Sequence, residues 1–356
     1  MKQSKSKIRS DLQPATCLWQ IYQPDEAKYR FAAKDRTSAK KWTNQTRQAL
    51  SRQIGLNLIP SADPNASLVE EVDKGDYIRQ KLLIRTGPNC LMLVYLLLPK
   101  KNVRPLPVVM AFHGHGYGVK DIVGLWEDGK ERNTPDGYHK DFAVDLCRAG
   151  FAVAAPEISC FGERETDFSY LNEIPGQPVP STCMHSALLA FHMGLSVIGM
   201  RVHDGMRLVD YLETRKDLDV SRLGAMGISG GGMHTFFSAC LDTRIKASVV
   251  SGYYSTFRDS IFAMAHCPCN VVPGLAKFGE MYDLVGLIAP RPMLIEAGSY
   301  DPIFPIRSVR ASVARARSVY DVFNAKDQIL TDYFEGRHQI SGRKAYAFLK
   351  RELVAS

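Results

Sequence analysis

The pentapeptide Gly227-Ile228-Ser229-Gly230-Gly231, directly after the apolar run Leu223-Gly224-Ala225-Met226, limits the possible folds more than any other stretch of the chain. A buried strand that turns into a helix within so few residues leaves room only for small neighbours, and glycine stands on both sides of the serine. Such a turn holds the serine in a strained backbone conformation, pushes its oxygen clear of the sheet and leaves the next backbone N–H free. The pattern alone is weak. Its position between an apolar strand and a helix gives it meaning, because a strand–turn–helix unit of this kind belongs to a layered α/β chain.

The rest of the chain agrees. From Tyr77 onward, strand and helix signals alternate. Tyr77–Arg85 and Leu91–Leu98 read as a hairpin around Gly87-Pro88-Asn89. Strands are predicted at Leu106–Phe112, Phe151–Ala155, Arg222–Ile228, Ile245–Ser251, Pro292–Ala297 and Leu330–Glu335. Helices are predicted at His139–Ala149, Ser186–Lys216, after Ser229, at Pro305–Asn324 and at Ser341–Leu353. Runs such as Phe151-Ala152-Val153-Ala154-Ala155 are continuously apolar, as in strands covered on both faces. The expected architecture is a mainly parallel central sheet with helices on both faces. Residues 1–75 are polar, with a helix-like stretch from Ser38 to Ile54, and read as an N-terminal helical extension to a main domain over 76–356. Two insertions, at about 156–182 and 252–286, follow strand ends.

No apolar run approaches the roughly 18 residues of a membrane span, and Leu91–Leu98 stops at Pro99. The basic start Met1-Lys2-Gln3-Ser4-Lys5-Ser6-Lys7 is followed by Ile8-Arg9-Ser10-Asp11 rather than an apolar segment, so a cytoplasmic protein is expected. Cys90, Cys147, Cys183 and Cys240 lie in or beside apolar segments, where free cysteine behaves as a small hydrophobe. The net charge of +8 is concentrated in residues 1–50, with eleven Lys and Arg against four Asp and Glu. A charge run of this kind reads as a solvated arm, and neither a nucleic-acid nor a membrane partner is expected. Homo-oligomerisation is left open.

A serine hydroxyl needs a base to take its proton, and the base needs a partner to fix its tautomer. Three histidines follow Ser229: His234, His266 and His338. His234 lies five residues into the helix after the serine and points the wrong way for a base above the turn. His338, in Phe334-Glu335-Gly336-Arg337-His338 after the last strand, stands where the base should be. Asp301, beyond Met293-Leu294-Ile295-Glu296, is the expected acid, with Asp283 and Glu296 as weaker candidates. His113-Gly114-His115-Gly116 follows the third strand and should supply a second oxyanion donor. One donor is expected from Gly230, the other from His115 or Gly116. Phe161, Tyr253, Tyr254 and Phe257 are candidate pocket residues.

No metal and no organic cofactor is expected. His113 and His115 have no nearby carboxylate, and His266-Cys267-Pro268-Cys269 lacks a second matching half of a zinc site. Full activity after exhaustive EDTA treatment is the corresponding expectation.

Together these residues resemble the α/β-hydrolase superfamily, and more closely its dienelactone-hydrolase and acetyl-xylan-esterase-like branch. The resemblance covers roughly Tyr77 to Leu353. It rests on the His113-Gly114-His115-Gly116 loop, the Gly227–Gly232 turn, Ala289-Pro290-Arg291-Pro292, Tyr300-Asp301-Pro302-Ile303-Phe304-Pro305 and the His338 loop. Phe161-Gly162-Glu163-Arg164 and His266-Cys267-Pro268-Cys269-Asn270 also look like segments of that branch. Ser229 stands where dienelactone hydrolases proper carry cysteine. The resemblance implies cofactor-free hydrolysis of a small carboxylic ester, including deacetylation, through an acyl-enzyme. Two alternatives share the scaffold: an oligopeptidase-like serine peptidase and a non-catalytic binding protein. About 75 polar residues cannot form the large propeller such peptidases usually carry, and a binding protein has no use for a complete Ser-His-Asp set.

Overall fold

The computed structural model describes residues 9–101 and 104–354; the basic segment Met1–Lys7 lies outside them. The strands are β1 (Ala66–Asp73), β2 (Tyr77–Gly87), β3 (Cys90–Pro99), β4 (Leu106–Phe112), β5 (Ala152–Pro156), β6 (Leu218–Ile228), β7 (Ile245–Ser251), β8 (Met293–Gly298) and β9 (Ile329–Phe334). The helices are α1 (Pro14–Ile21), α2 (Arg36–Gln53), α3 (Phe142–Arg148), α4 (Thr182–His192) and α5 (Val197–Glu213). They continue with α6 (Gly230–Leu241), α7 (Leu275–Phe278), α8 (Met281–Leu284), α9 (Ile306–Val322) and α10 (Ala345–Leu353).

All nine strands form one sheet in the order β1-β2-β3-β5-β4-β6-β7-β8-β9. β1 to β3 and β5 pair antiparallel, and every pair from β5 through β4 to β9 is parallel. The apolar runs are continuous because the sheet has a core on each face. Along β3, Met92, Val94, Leu96 and Leu98 join one core with α5, α6 and α9, whereas Leu93, Tyr95 and Leu97 join the other with α3 and α10. The chain leaves β4 for β5 on one side and reaches β6 on the other, so the strand order reverses at β4. The crevice beyond the carboxyl ends of β4 and β6 is where ligands of open α/β sheets bind.

Two expectations are corrected. The single helix read over Ser186–Lys216 is two helices, bent by 97° where α4 gives way to α5. Gly194 at φ 72° ends the first, and the Ser196 side chain caps the second by accepting from Gly199 N at 3.0 Å. The sheet also begins at Ala66, inside the stretch read as a helical extension. β1 is exposed along nearly its whole length, so it lacks the alternation that marks a strand in sequence. Within that stretch α2 does form. Asp35 caps it by accepting from Ser38 N at 2.9 Å, and Leu50 is buried in the main core. Among the described residues no single helix is long and apolar enough to cross a membrane.

Candidate active site

β6 ends at Ile228, and the chain enters α6 through Ser229 at φ 58°, ψ −122°. Flanking glycines are required there: a Cβ at Gly231 would overlap the Phe112 carbonyl oxygen, and one at Gly227 the Gly231 carbonyl oxygen. Ser229 N donates to Ser251 O at 3.0 Å, which ties the turn to β7. The Gly230 amide is the first N–H of α6 and so has no partner within the helix.

His338 reaches the same crevice from the loop after β9. Its Nδ1 donates to Asp301 Oδ2 at 2.7 Å, and Asp301 Oδ1 accepts from the amides of Ile303 and Phe304 at 2.9 and 3.0 Å. That assignment leaves Nε2 as an acceptor facing the crevice, and among the described residues it has no hydrogen-bond partner. The ring lies between Phe304, stacked at 5.8 Å, and Tyr138 at 5.4 Å. Gly252, at φ 51°, supports it from below: a Cβ there would stand 3.0 Å from His338 Cε1. Ser229, Gly230, His115, Tyr138, His266, Cys267, Phe304 and His338 line a common cavity of about 250 Å³.

The weaker acid candidates lie elsewhere. Glu296, within β8, accepts from Gly342 N at 3.0 Å and so braces the loop that carries His338. Burial pushes its carboxyl up to about 7. Asp283 accepts from Phe31 N at 2.9 Å and from Glu280 N at 3.0 Å, and burial pushes its carboxyl up to about 6. It fastens the N-terminal segment rather than a catalytic loop. His234 is buried in α6 against Phe112, and burial holds its imidazole well below its ordinary value.

The loop after β4 is fixed by residues that sequence reasoning missed. Gly114 N donates to His139 Nε2 at 2.8 Å, and His139 Nδ1 lies 2.9 Å from Asp121 Oδ2. Burial holds the His139 imidazole below its ordinary value, which keeps Nε2 an acceptor. The Tyr138 hydroxyl donates to His115 O at 2.5 Å. Both residues fall just before α3, in a stretch with no motif to flag them. His113 supports the loop: it is fully buried and accepts from Ile158 N at 3.0 Å, and, against the expectation of no nearby carboxylate, its Nε2 lies 3.1 Å from Glu157 Oε1.

Of the two expected loop donors, His115 lines the cavity with Ser229. Gly116 lines only the adjoining larger cavity. Phe161 lines a second cavity of about 740 Å³, which shares His115 and Cys267 with the first. Tyr253 and Tyr254 are a correction. Each is 1% exposed and lines neither cavity, the first packing on Phe304 and the second on Phe236. Phe257, equally buried, is core as well. Aromatic residues just past a strand end carry no sequence signal that separates wall from core.

Residues 16–331 match the model of the Abhydrolase family. The chain belongs to that family. Its α/β-hydrolase fold is the one implied by the sequence resemblance, and the chain is similar to other named hydrolases. It is 29% identical to the Bacillus subtilis (strain 168) protein named "Putative hydrolase YtaP" over 268 residues, covering 73% of this chain and 80% of that one. It is 24% identical over 319 residues to "Carbohydrate esterase MZ0003" of an unknown prokaryotic organism, covering 74% of this chain and 70% of that one. In structure it resembles a "putative acetyl xylan esterase" of Bacteroides fragilis NCTC 9343, with a TM-score of 0.74 at 16% identity over 94% of this chain and 84% of the other.

In this Abhydrolase family member the Cys267-Pro268-Cys269 segment does not stand alone. Cys183, from the first turn of α4, and His115 stand beside Cys267 and Cys269, each offering one ligand atom within 4.8 Å of the others. Spacing along the chain could not reveal it, because the four residues come from three segments far apart in sequence.

Proposed function

We propose that this chain hydrolyses carboxylic esters of a polar, carbohydrate-like alcohol, with a short acyl group such as acetate, through an acyl-enzyme. One observation carries the reading: Ser229, on its strained turn, shares a small cavity with the free Nε2 of a histidine whose other nitrogen is held by Asp301. Ser229 attacks the ester carbonyl while His338 takes its proton, and Asp301 stabilises the imidazolium. The developing oxyanion is received by the amides of Gly230 and His115. His338 then protonates the leaving alcohol and activates the water that cleaves the acyl-enzyme.

The two adjoining cavities support the substrate class. The one at Ser229 is small and walled by Phe304, Ile303 and Ala265, which suits a short acyl group. The larger is lined in part by Glu165, Thr166, Asp167, Ser169, Asn172 and Thr182, groups able to hydrogen-bond a polyhydroxylated alcohol. The similarity to proteins named as a carbohydrate esterase and an acetyl xylan esterase points the same way. A reducing, cytoplasmic setting suits the eight free cysteines.

A panel of p-nitrophenyl acetate, butyrate and octanoate, acetylated sugars and aminoacyl amides tests this. Acetyl esters should be turned over fastest, with acetylated sugars exceeding p-nitrophenyl acetate in kcat/KM. Preference for octanoate would overturn the short acyl group, and turnover confined to the amides would overturn ester hydrolysis itself.

A further inference from the structure

The imidazole of His115 and the thiols of Cys183, Cys267 and Cys269 form a cluster whose side chains take no step in the proposed serine chemistry. We propose that it is a structural Zn²⁺ site of the Cys₃His type, which clamps the loop carrying His115 to the two segments that wall the cavities.

The geometry fits. Tetrahedral zinc with Zn–S near 2.3 Å and Zn–N near 2.0–2.1 Å places neighbouring ligand atoms roughly 3.5–3.8 Å apart. The four ligand atoms all lie within 4.8 Å of one another, and Cys269 Sγ is 3.7 Å from His115 Nε2. The donor set is three sulfurs and one imidazole, with no carboxylate. Soft ligands of this kind select zinc over magnesium or calcium, and four protein ligands close the coordination sphere against a reactive water.

The surroundings are built for a metal-bound thiolate. Cys269 Sγ accepts from Arg201 Nη1 at 3.6 Å and from Asn270 Nδ2 at 3.7 Å. Two N–H donors converging on one sulfur suit a thiolate, whereas a thiol sulfur is a weak acceptor. Arg201 is 1% exposed, and among the described residues its Nη atoms donate to Cys269 Sγ and Ser159 O and to no carboxylate. A buried guanidinium needs a counter-charge. Three thiolates and one Zn²⁺ leave a single negative charge, and Arg201 supplies the positive charge that balances it.

The clamp joins distant parts of the chain. His115 follows β4, Cys183 opens α4, and Cys267 and Cys269 lie between β7 and α7. His115 and Cys267 line both cavities, so the metal would fix the shared wall and, with it, the His115 backbone beside Ser229.

The test is metal content and cobalt spectroscopy on the full chain, neither of which depends on Ser229. Protein purified without chelator should carry about one zinc per chain, and Ser229→Ala should carry the same amount. Zinc-free protein titrated with Co²⁺ should develop the visible spectrum of tetrahedral, thiolate-ligated cobalt, saturating at about one equivalent. Cys267 is only half-buried, so Cys267→Ser should fold yet lose stoichiometric zinc and the cobalt spectrum. Asn270→Ala, which removes a donor to a ligand sulfur, should weaken zinc binding roughly 10–100-fold. The proposal is overturned if folded wild type takes up neither metal, if Cys267→Ser binds zinc as tightly as wild type, or if non-reducing mass spectrometry finds Cys183 in a disulfide. Ser229→Ala that keeps both its zinc and wild-type ester turnover would sink the proposed function and leave the metal site standing, so the two readings fail separately.

Discussion

Ser229 sits at φ 58°, a conformation that costs a non-glycine residue roughly 1–3 kcal/mol. Strain and chemistry can be separated there by two substitutions. Ser229→Ala keeps the Cβ and should lower ester turnover at least roughly 10³-fold with stability little changed. Ser229→Gly should be equally inactive but more stable than Ser229→Ala by about 1 kcal/mol, because glycine adopts positive φ freely. Turnover assays and urea unfolding check both, and a folded Ser229→Ala with wild-type turnover would sink the assignment. Gly252 permits a second test, of positioning. Its φ of 51° and the 3.0 Å from its missing Cβ to His338 Cε1 mean that Gly252→Ala must displace the imidazole. We expect kcat to fall with KM nearly unchanged, since a misplaced base harms the transition state more than substrate binding.

At the scale of elements, the loop that carries His338 depends on what braces it from behind. Glu296 within β8 holds Gly342 N, four residues beyond His338, and its carboxyl is raised from 4.5 to about 7 by burial. A folded-state pKa above the unfolded one means that the native chain binds this proton more tightly, so stability is lost as pH rises from about 4.5 to about 7. Glu296→Gln removes that dependence. It should match wild type near pH 4 and exceed it by up to about 3 kcal/mol at pH 8, the gain appearing mostly between pH 5 and 7. Urea midpoints at several pH values would show this. A pH-independent difference would mean that Glu296 stays ionised in the fold.

For the whole molecule, the N-terminal segment belongs to the core. Leu50 and Ile54 are fully buried, and Arg47 donates to Cys240 O and Leu287 O at 3.0 and 2.8 Å. Deleting residues up to Ile54 should cost about 3–6 kcal/mol from those two side chains alone, which approaches the total stability of a typical domain. Soluble yield and Tm would fall together; an unchanged Tm would mean that α2 is a detachable arm. The fold and the triad candidates could be read from sequence because they follow from local rules. A strand buried on both faces must be continuously apolar, a sharp strand-to-helix turn must have glycine neighbours, and the base and acid must follow particular strands. Other features depend on contacts between segments remote along the chain, which no local pattern encodes. The exposed edge strand β1 is paired only by its neighbour, and His139 and Tyr138 matter only because they meet the β4 loop. Tyr253 and Tyr254 are core only because Phe304 and Phe236 close over them. The Cys₃His cluster exists only where two loops and the start of α4 converge. Periodicity and turn chemistry act over a few residues and are written into the sequence; burial, second-layer hydrogen bonds and ligand clusters arise from chain crossings, and those the tertiary structure alone decided.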